Sequence, residues 1–449
     1  MADTAGRGRT RGSRLTLVTA AAVALTLVAR FWPGMTMLDR MELRTVDWRF
    51  AQRGERAPNP DIVIVNVDDA SIDEIGRWPW PRQEMAEVIE ALDDAGVRII
   101  GFDIFFADPD RTVGGAESDQ ALVAATRNAG MVFHAAFGYG PDAQPADQSD
   151  SGAATYGWPD AKIAGGDGAA GLYRMGNVIP PLPGVMDAAA GIGFVNVVDS
   201  GDGVFRHTFP VALYGETPFP SLALAMCAHL LDVSPDQVTI APGRCVKLGT
   251  ARAIPIDRGG RMMIDFAGGD RTYPYVSVIE LREMTTSPAE MKRRFEDKIA
   301  LVAVSAPGLY DLRACPFSTV YNGVETQANI VANILDERFL RQIKGEWAAL
   351  IIALAGAVVL LGLGRLPPTG AIAGAVALLG GYNYLCVKAF SDWGLVVDII
   401  APNLVMIATM GGMLALRLAR EETELERVRD TLARFVPETF FTFFGFPRL

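Results

Sequence analysis

Four apolar runs and the gaps between them dictate what this chain can fold into. One run, Leu15–Pro33, follows an arginine-rich N-terminus, and three more crowd residues 347 to 416. A run of about 20 apolar residues is the length that crosses ~30 Å of hydrocarbon as a helix. Between the first run and the rest lies a polar stretch, Leu43 to Lys344, long enough for a folded domain. A domain held between membrane spans sits on one side of the bilayer and is tethered to whatever follows on the other. That is the layout of a receptor.

The later spans read 347–364, 370–390 and 395–416, joined by connectors too short for anything but turns. Arg7, Arg9, Arg11 and Arg14 stand against Asp3 alone in the tail 1–14, and Arg417 and Arg420 follow the last span. The positive-inside rule places both ends in the cytoplasm. Four spans agree, and put 43–344 outside. A cleaved signal peptide is the alternative for 15–33, but Val28-Ala29-Arg30 followed by Phe31-Trp32 is a poor cleavage site. An uncleaved anchor is expected, with Arg30 snorkelling to the interface. Asn383, Lys388 and Asp398 lie in or near spans, and the two charged ones are expected at the interface.

Net charge is −11, and the basic tail leaves about −14 on the remainder, which argues against nucleic-acid binding. Of the four cysteines, Cys386 falls in a span; Cys227, Cys245 and Cys315 make neither a disulfide framework nor a zinc site.

The large polar stretch alternates strand and helix. Asp61–Asp68, Val97–Phe106, Met131–Phe137 and Lys298–Val304 read as buried strands, with others at 193–198, 208–213 and 262–266. Helical spacing covers Pro81–Ala95, Ser221–Leu231, Ala289–Phe295 and Gly323–Leu335. An α/β fold with right-handed parallel crossovers follows. Residues 138–175, rich in Gly, Ala and Asp, read as a mobile insertion.

VNVDDASIDEIGRWPWPR (65–82) followed by GFDIFFADPD (101–110) resembles the second type of the cyclases/histidine kinases-associated sensory extracellular domain, CHASE type two. GFVNVVDSGDGVFRHTFP (193–210), residues 260–266, LVAVSAPGLYDLRACPF (301–317) and GVETQANIVANIL (323–335) match the same family in order, after a lead-in at 43–50. The likeness runs from Leu43 to Leu335. It implies an extracytoplasmic sensor of a multi-pass receptor in a bacterial inner membrane, followed by three spans and a cytoplasmic output.

Ligands of open α/β sheets bind outside the carboxyl ends of strands. Asp68, Asp69, Arg82, Asp103 and Asp311 are the pocket candidates on that ground, with Arg82 expected to pair with Asp68 or Asp103. The structural alternative is that Asp68, Asp69 and Ser71 cap the next turn and Trp78 and Trp80 pack. Asp202-Gly203 reads as a turn between two strands, with Arg206 an anchor beside it. Asp199 and Asp202 lack the remaining ligands of a calcium loop. His134, His207 and His229 fall in no catalytic motif. No nucleophile elbow, phosphate loop or dinucleotide fingerprint is present.

Beyond the last span, Leu414, Leu418, Leu425, Val428, Leu432 and Phe435 form an a/d stripe, interrupted by Glu421. The spacing suits a short two-helix coil in 417–449, or one amphipathic helix on the bilayer. LARFVPETFFTFFGFPRL (432–449) resembles the lead-in to the catalytic domain of class III adenylate/guanylate cyclases that carry this sensor. A cyclase output, with Mg and ATP, would require that domain to follow; no cofactor is expected within this chain. The expectation is a homodimeric receptor for an unidentified extracytoplasmic small-molecule or protein signal. The alternative is a stand-alone membrane-anchored sensor acting through a separate partner.

Overall fold

A computed structural model describes residues 2–31, 36–112, 114–142, 153–165, 168–305 and 314–435. Two compact units emerge, Phe50–Arg341 and the pair of segments Met1–Arg49 and Gln342–Leu449. Two helices open the chain, α1 (Ala2–Phe31) and α2 (Thr36–Arg53).

The first unit is built on a seven-stranded sheet. Its strands are β1 (Ile62–Val67), β2 (Ile99–Phe102), β3 (Val132–Tyr139), β4 (Asn177–Ile179), β5 (Gly191–Phe194), β6 (Tyr275–Ser277) and β7 (Ile299–Val304). The order is β6-β1-β7-β2-β3, with β5 parallel and β4 antiparallel on the far side of β3. IVIVNV in β1 is buried along its whole length, as is IALVAV in β7 but for its last residue, because a parallel sheet is covered on both faces.

The covering helices are α3 (Asp69–Ile75), α4 (Arg82–Asp94), α5 (Gly115–Ala129), α6 (Pro183–Ala188), α7 (Leu222–Leu230), α8 (Val278–Met284), α9 (Pro288–Phe295) and α10 (Gly323–Leu335). Val63, Val65, Val276, Ala300 and Val302 turn one way and pack with Val88, Ile89 and Leu92 of α4, Leu122 of α5 and Leu281 of α8. The other face is taken by α7 and α10. α7 is apolar nearly all round, and every α10 residue from Val324 to Ile334 is buried, polar ones included. Two glycines permit this close approach. A Cβ on Gly101 of β2 would meet Met226 of α7, and one on Gly193 of β5 would strike the backbone of Leu222.

Small sheets finish the unit. Val238–Ala241, Cys245–Leu248 and Arg252–Pro255 form an antiparallel meander extended by Lys162–Ile163. Arg174–Met175 adds an edge to the hairpin of Val211–Tyr214 and Thr217–Pro220. The described parts of 138–175 are therefore framework rather than a mobile insertion, with Trp158, Leu172 and Met175 buried. Short edge strands of two residues carry too little periodicity to be seen in the sequence.

In the second unit, α11 (Glu346–Val358) continues through a wider turn to Leu363, followed by α12 (Pro368–Trp393) and α13 (Ile400–Phe435). Three helices, Glu346–Leu363, Pro368–Trp393 and Ile400–Thr431, are long and apolar enough to cross a membrane. The apolar part of α1, Thr16–Phe31, is shorter. It packs on α11 and α13 through small residues: a Cβ on Gly356 would lie 2.9 Å from Val405 and 3.0 Å from Val23. Leu17, Leu25, Leu354, Leu361, Val376 and Ile407 point outward.

Gly193→Ala tests the packing of α7 on the sheet. The side chain would meet main chain, so thermal unfolding of the full protein should reveal a loss of at least about 1–3 kcal/mol. An unchanged melting temperature would mean that α7 sits farther from β5.

Candidate functional site

Asp68 ends β1 at the carboxyl edge of the parallel sheet, where sequence reasoning placed it, but its carboxylate is already engaged. Asp68 Oδ1 accepts from the Ser71 amide at 3.0 Å, the Ser71 hydroxyl at 2.7 Å and the Ser277 hydroxyl at 2.9 Å. It caps α3 and ties that helix to the end of β6. Burial opposes its ionisation, yet these donors outweigh burial and hold the carboxyl below its ordinary value. Asp69 is exposed in the first turn of α3. Trp80 is buried, packs edge-to-face on Trp78 at 5.3 Å, and donates its indole N–H to the Gly76 carbonyl.

Arg82 makes neither of the pairings expected of it. Its guanidinium lies over the Phe106 ring at 5.0 Å and reaches the Asp108 carbonyl at 3.4 Å. Its backbone N–H donates to Asp110 Oδ2 at 3.0 Å, and the next amide, of Gln83, donates to the Ser118 hydroxyl at 2.9 Å. Pro81 precedes α4 and offers no side-chain cap, so the 106–118 segment caps that helix from a distance. Burial raises the Asp110 carboxyl, but the amides of Thr112 and Arg82 prevail and leave it at about 2. The two most recognisable stretches of the sequence thus bind each other. Asp103 is half-buried and extends β2 by donating its N–H to the Val302 carbonyl. Asp311 lies outside the described residues. Asp202 forms the turn ahead of Phe205–Thr208 and grips buried Arg206 through both oxygens at 2.9 and 3.0 Å.

The site that sequence reasoning passed over lies at the start of α10. Asn322 caps this helix by accepting from the Val324 amide. Glu325, in its first turn, is 0% exposed, and neither of its carboxylate oxygens has a hydrogen-bond partner. The buried hydroxyl of Tyr275 has none either. Burial, then the charge of Asp270, push the Glu325 carboxyl up to about 7, while the hydroxyls of Tyr275 and Tyr321 nearby pull it partly back. Farther along the helix, Asn329 and Asn333 read the extended segment 265–267 as a strand would. Asn329 Oδ1 accepts from the Ala267 amide at 2.8 Å, and Asn333 exchanges two bonds with the Asp265 backbone at 2.8 and 3.0 Å. The Asp265 side chain in turn binds Arg53 and Arg56, and Arg53 also donates to the Phe266 carbonyl. A small cleft of about 10 Å³, bordered by Arg56, Asp265, Tyr273, Asn329 and Arg338, opens beside this junction.

The CHASE2 domain family matches residues 18–363 of this sequence. The chain belongs to the CHASE2 family. No curated protein and no solved structure matches it. The family match extends beyond the α/β unit on both sides, across the apolar part of α1 and through α11.

Within the helical unit of this CHASE2 protein, two carboxylates hold the helices together. Arg30 of α1 donates to both oxygens of Asp398, at 2.7 and 3.3 Å, and to Asp39 at 3.0 Å. Asp398 is buried just ahead of α13, so Arg30 is paired rather than snorkelling alone. Glu42 of α2 accepts from the Ile399 amide at 3.0 Å and the Ile400 amide at 2.9 Å, and from Arg49 at 2.6 Å. A carboxylate there satisfies the orphan amides and the positive dipole end of α13. Lys388, by contrast, is half-exposed and pairs with Asp392.

Asp68→Ala should destabilise the protein by about 1 kcal/mol in thermal unfolding, the usual worth of a cap. Asp110 has a depressed carboxyl, so its contribution is full above its unfolded value near 3.8 and is lost as pH falls toward about 2. Asp110→Asn should therefore weaken the fall in stability over that acid window; an unaltered acid profile would contradict the assignment. Asp398→Ala, which strands Arg30, should cost about 3–5 kcal/mol, and the exchange Arg30→Asp with Asp398→Arg should recover part of it.

Proposed function

We propose that this chain is a multi-pass receptor of a bacterial inner membrane, with its α/β domain, 43–344, outside the cytoplasm and both termini within. Four spans, 15–33, 347–364, 370–390 and 395–416, carry it, and 417–449 begins the cytoplasmic transducer. The observation that supports this reading best is the polarity of the helical unit. Trp347 opens α11 and Trp393 closes α12, both about 70% exposed, at the end where Asp398 precedes α13. Such aromatics mark a membrane–water interface. Arg365 lies in the opposite turn, and Arg417 of α13 donates to the Gly364 and Leu366 carbonyls there. Positive charge at that end is what a cytoplasmic face carries. The packing of α1 against α11 and α13 favours a retained first span over a cleaved leader.

The output we propose is a nucleotide cyclase reached through α13 in a homodimer. α13 has 36 residues, about 54 Å at 1.5 Å per residue, well beyond the ~30 Å of hydrocarbon. Past the bundle, Leu418, Leu425 and Val428 are exposed on the single chain, Leu414 is half-buried, and the side chains of Leu432 and Phe435 lie outside the described residues. A stripe of this kind is what a second copy would cover.

Two measurements test the reading. Alkaline phosphatase fused within 43–344 should be active and a fusion after Arg420 inactive; the reverse pattern would overturn the sidedness. Single cysteines along 414–435 should crosslink in membranes with a/d periodicity, and flat reactivity would remove the coil.

A further inference from the structure

We propose that Glu325 is a proton-binding site through which the outer domain responds to the acidity of its surroundings. The inference rests on the receptor reading above and supplies it with a signal.

Four features of the site carry it. Glu325 is excluded from solvent, and neither of its oxygens makes a hydrogen bond, although the Tyr275 and Tyr321 hydroxyls and the Tyr273 amide lie near enough to oppose part of the upward shift. An ionised carboxylate buried without donors is costly, and the charge is removed either by a proton or by a cation. Glu325 is packed beside Tyr273, Tyr275 and Tyr321, and a proton needs no additional room there. The charge facing it from the segment before β6 is Asp270, which also favours the neutral acid, while Arg271 lies over the Tyr275 ring at 5.4 Å.

Among the described residues, no cation is bonded to Glu325, and Arg252 is held by the Ile334 and Leu335 carbonyls at the far end of α10. β1 and β7 contain no ionisable residue. From α7, Cys227 points at the Val331 carbonyl and His229 is exposed against Phe133. Ahead of α10, burial raises the Tyr321 hydroxyl well above its usual value. Arg53 and Arg56 are bound to Asp265. Loss of the proton leaves a charge on the first turn of a fully buried helix, and that helix holds segment 265–267, hence Arg53 at the end of α2, through Asn329 and Asn333. Ionisation therefore loosens an element bonded to the chain that leads toward the spans.

The sign follows from the direction of the shift. A carboxyl raised above its unfolded value near 4.5 contributes stability that is full below that value and lost as pH rises through about 7. The full chain in lipid nanodiscs should show an infrared band of a protonated carboxyl that disappears on going from about pH 5 to about pH 8, with a midpoint near neutrality. Glu325→Gln should abolish that band and flatten the melting temperature over the same range. Tyr275→Phe, which keeps the carboxyl and removes a neighbouring hydroxyl, should move the midpoint upward, so a poorly folding Gln variant does not end the test. A Glu325 midpoint in the ordinary carboxylate range, or one displaced by adding sodium, potassium or calcium, would overturn the proposal. The fusion experiment on sidedness does not depend on Glu325, so failure of the receptor reading and failure of this site can be told apart.

Discussion

A charge or an unpaired amide taken out of water must find a partner, and most of the specific structure of this protein answers that demand. In the helical unit, Asp398 meets Arg30, and Glu42 meets the first amides of α13. Packing of apolar helices alone would leave their register loose, because apolar contact is not directional. These ionic contacts allow one register. In the α/β unit, Asp265 meets Arg53 and Arg56, and Asp202 meets Arg206. Removing one member of such a pair leaves the other buried, which is why the pairs act as fixed joints more than as sources of net stability.

α2 carries two of these joints. Glu42 binds the start of α13, while Arg53, at the other end of the same helix, binds Asp265 and the Phe266 carbonyl. Phe50, one turn before Arg53, is fully buried against Phe266 and Phe317.

Much of the fold was legible because buried strands and helices leave strong periodic marks. β1, α4, α10 and β7 were all expected within a residue or two of where they lie. The two-residue edge strands were not, since their formation depends on neighbours distant in sequence. The candidate site was read less well. Asp68, Arg82 and Asp110 were conspicuous as motif residues, and they prove to close the ends of α3 and α4. A strand-end carboxylate and a helix-capping carboxylate look alike until the donors are seen. Glu325 had the opposite fate. In GVETQANIVANIL a glutamate three residues past an N-cap reads as a routine capping residue, and only burial with two unpartnered oxygens sets it apart. The signal that could have found it was the absence of any exposed face for it: α10 is apolar or amide-bearing all round.

That contrast bears on how a sensor domain can be stable and responsive together. Where Asp68 and Asp202 gather donors, their charge is fixed over the neutral range and the structure around them does not change with conditions. Glu325 makes no hydrogen bond, and the neighbouring Tyr275 and Tyr321 hydroxyls only partly offset its burial, so the free energy of α10's first turn depends on whether a proton is present. A responsive element has to be drawn from the least satisfied part of a fold, because a fully bonded one has no second state of similar energy. Among the described residues of this domain, the carboxylate with neither oxygen bonded lies on the helix whose asparagines grip segment 265–267.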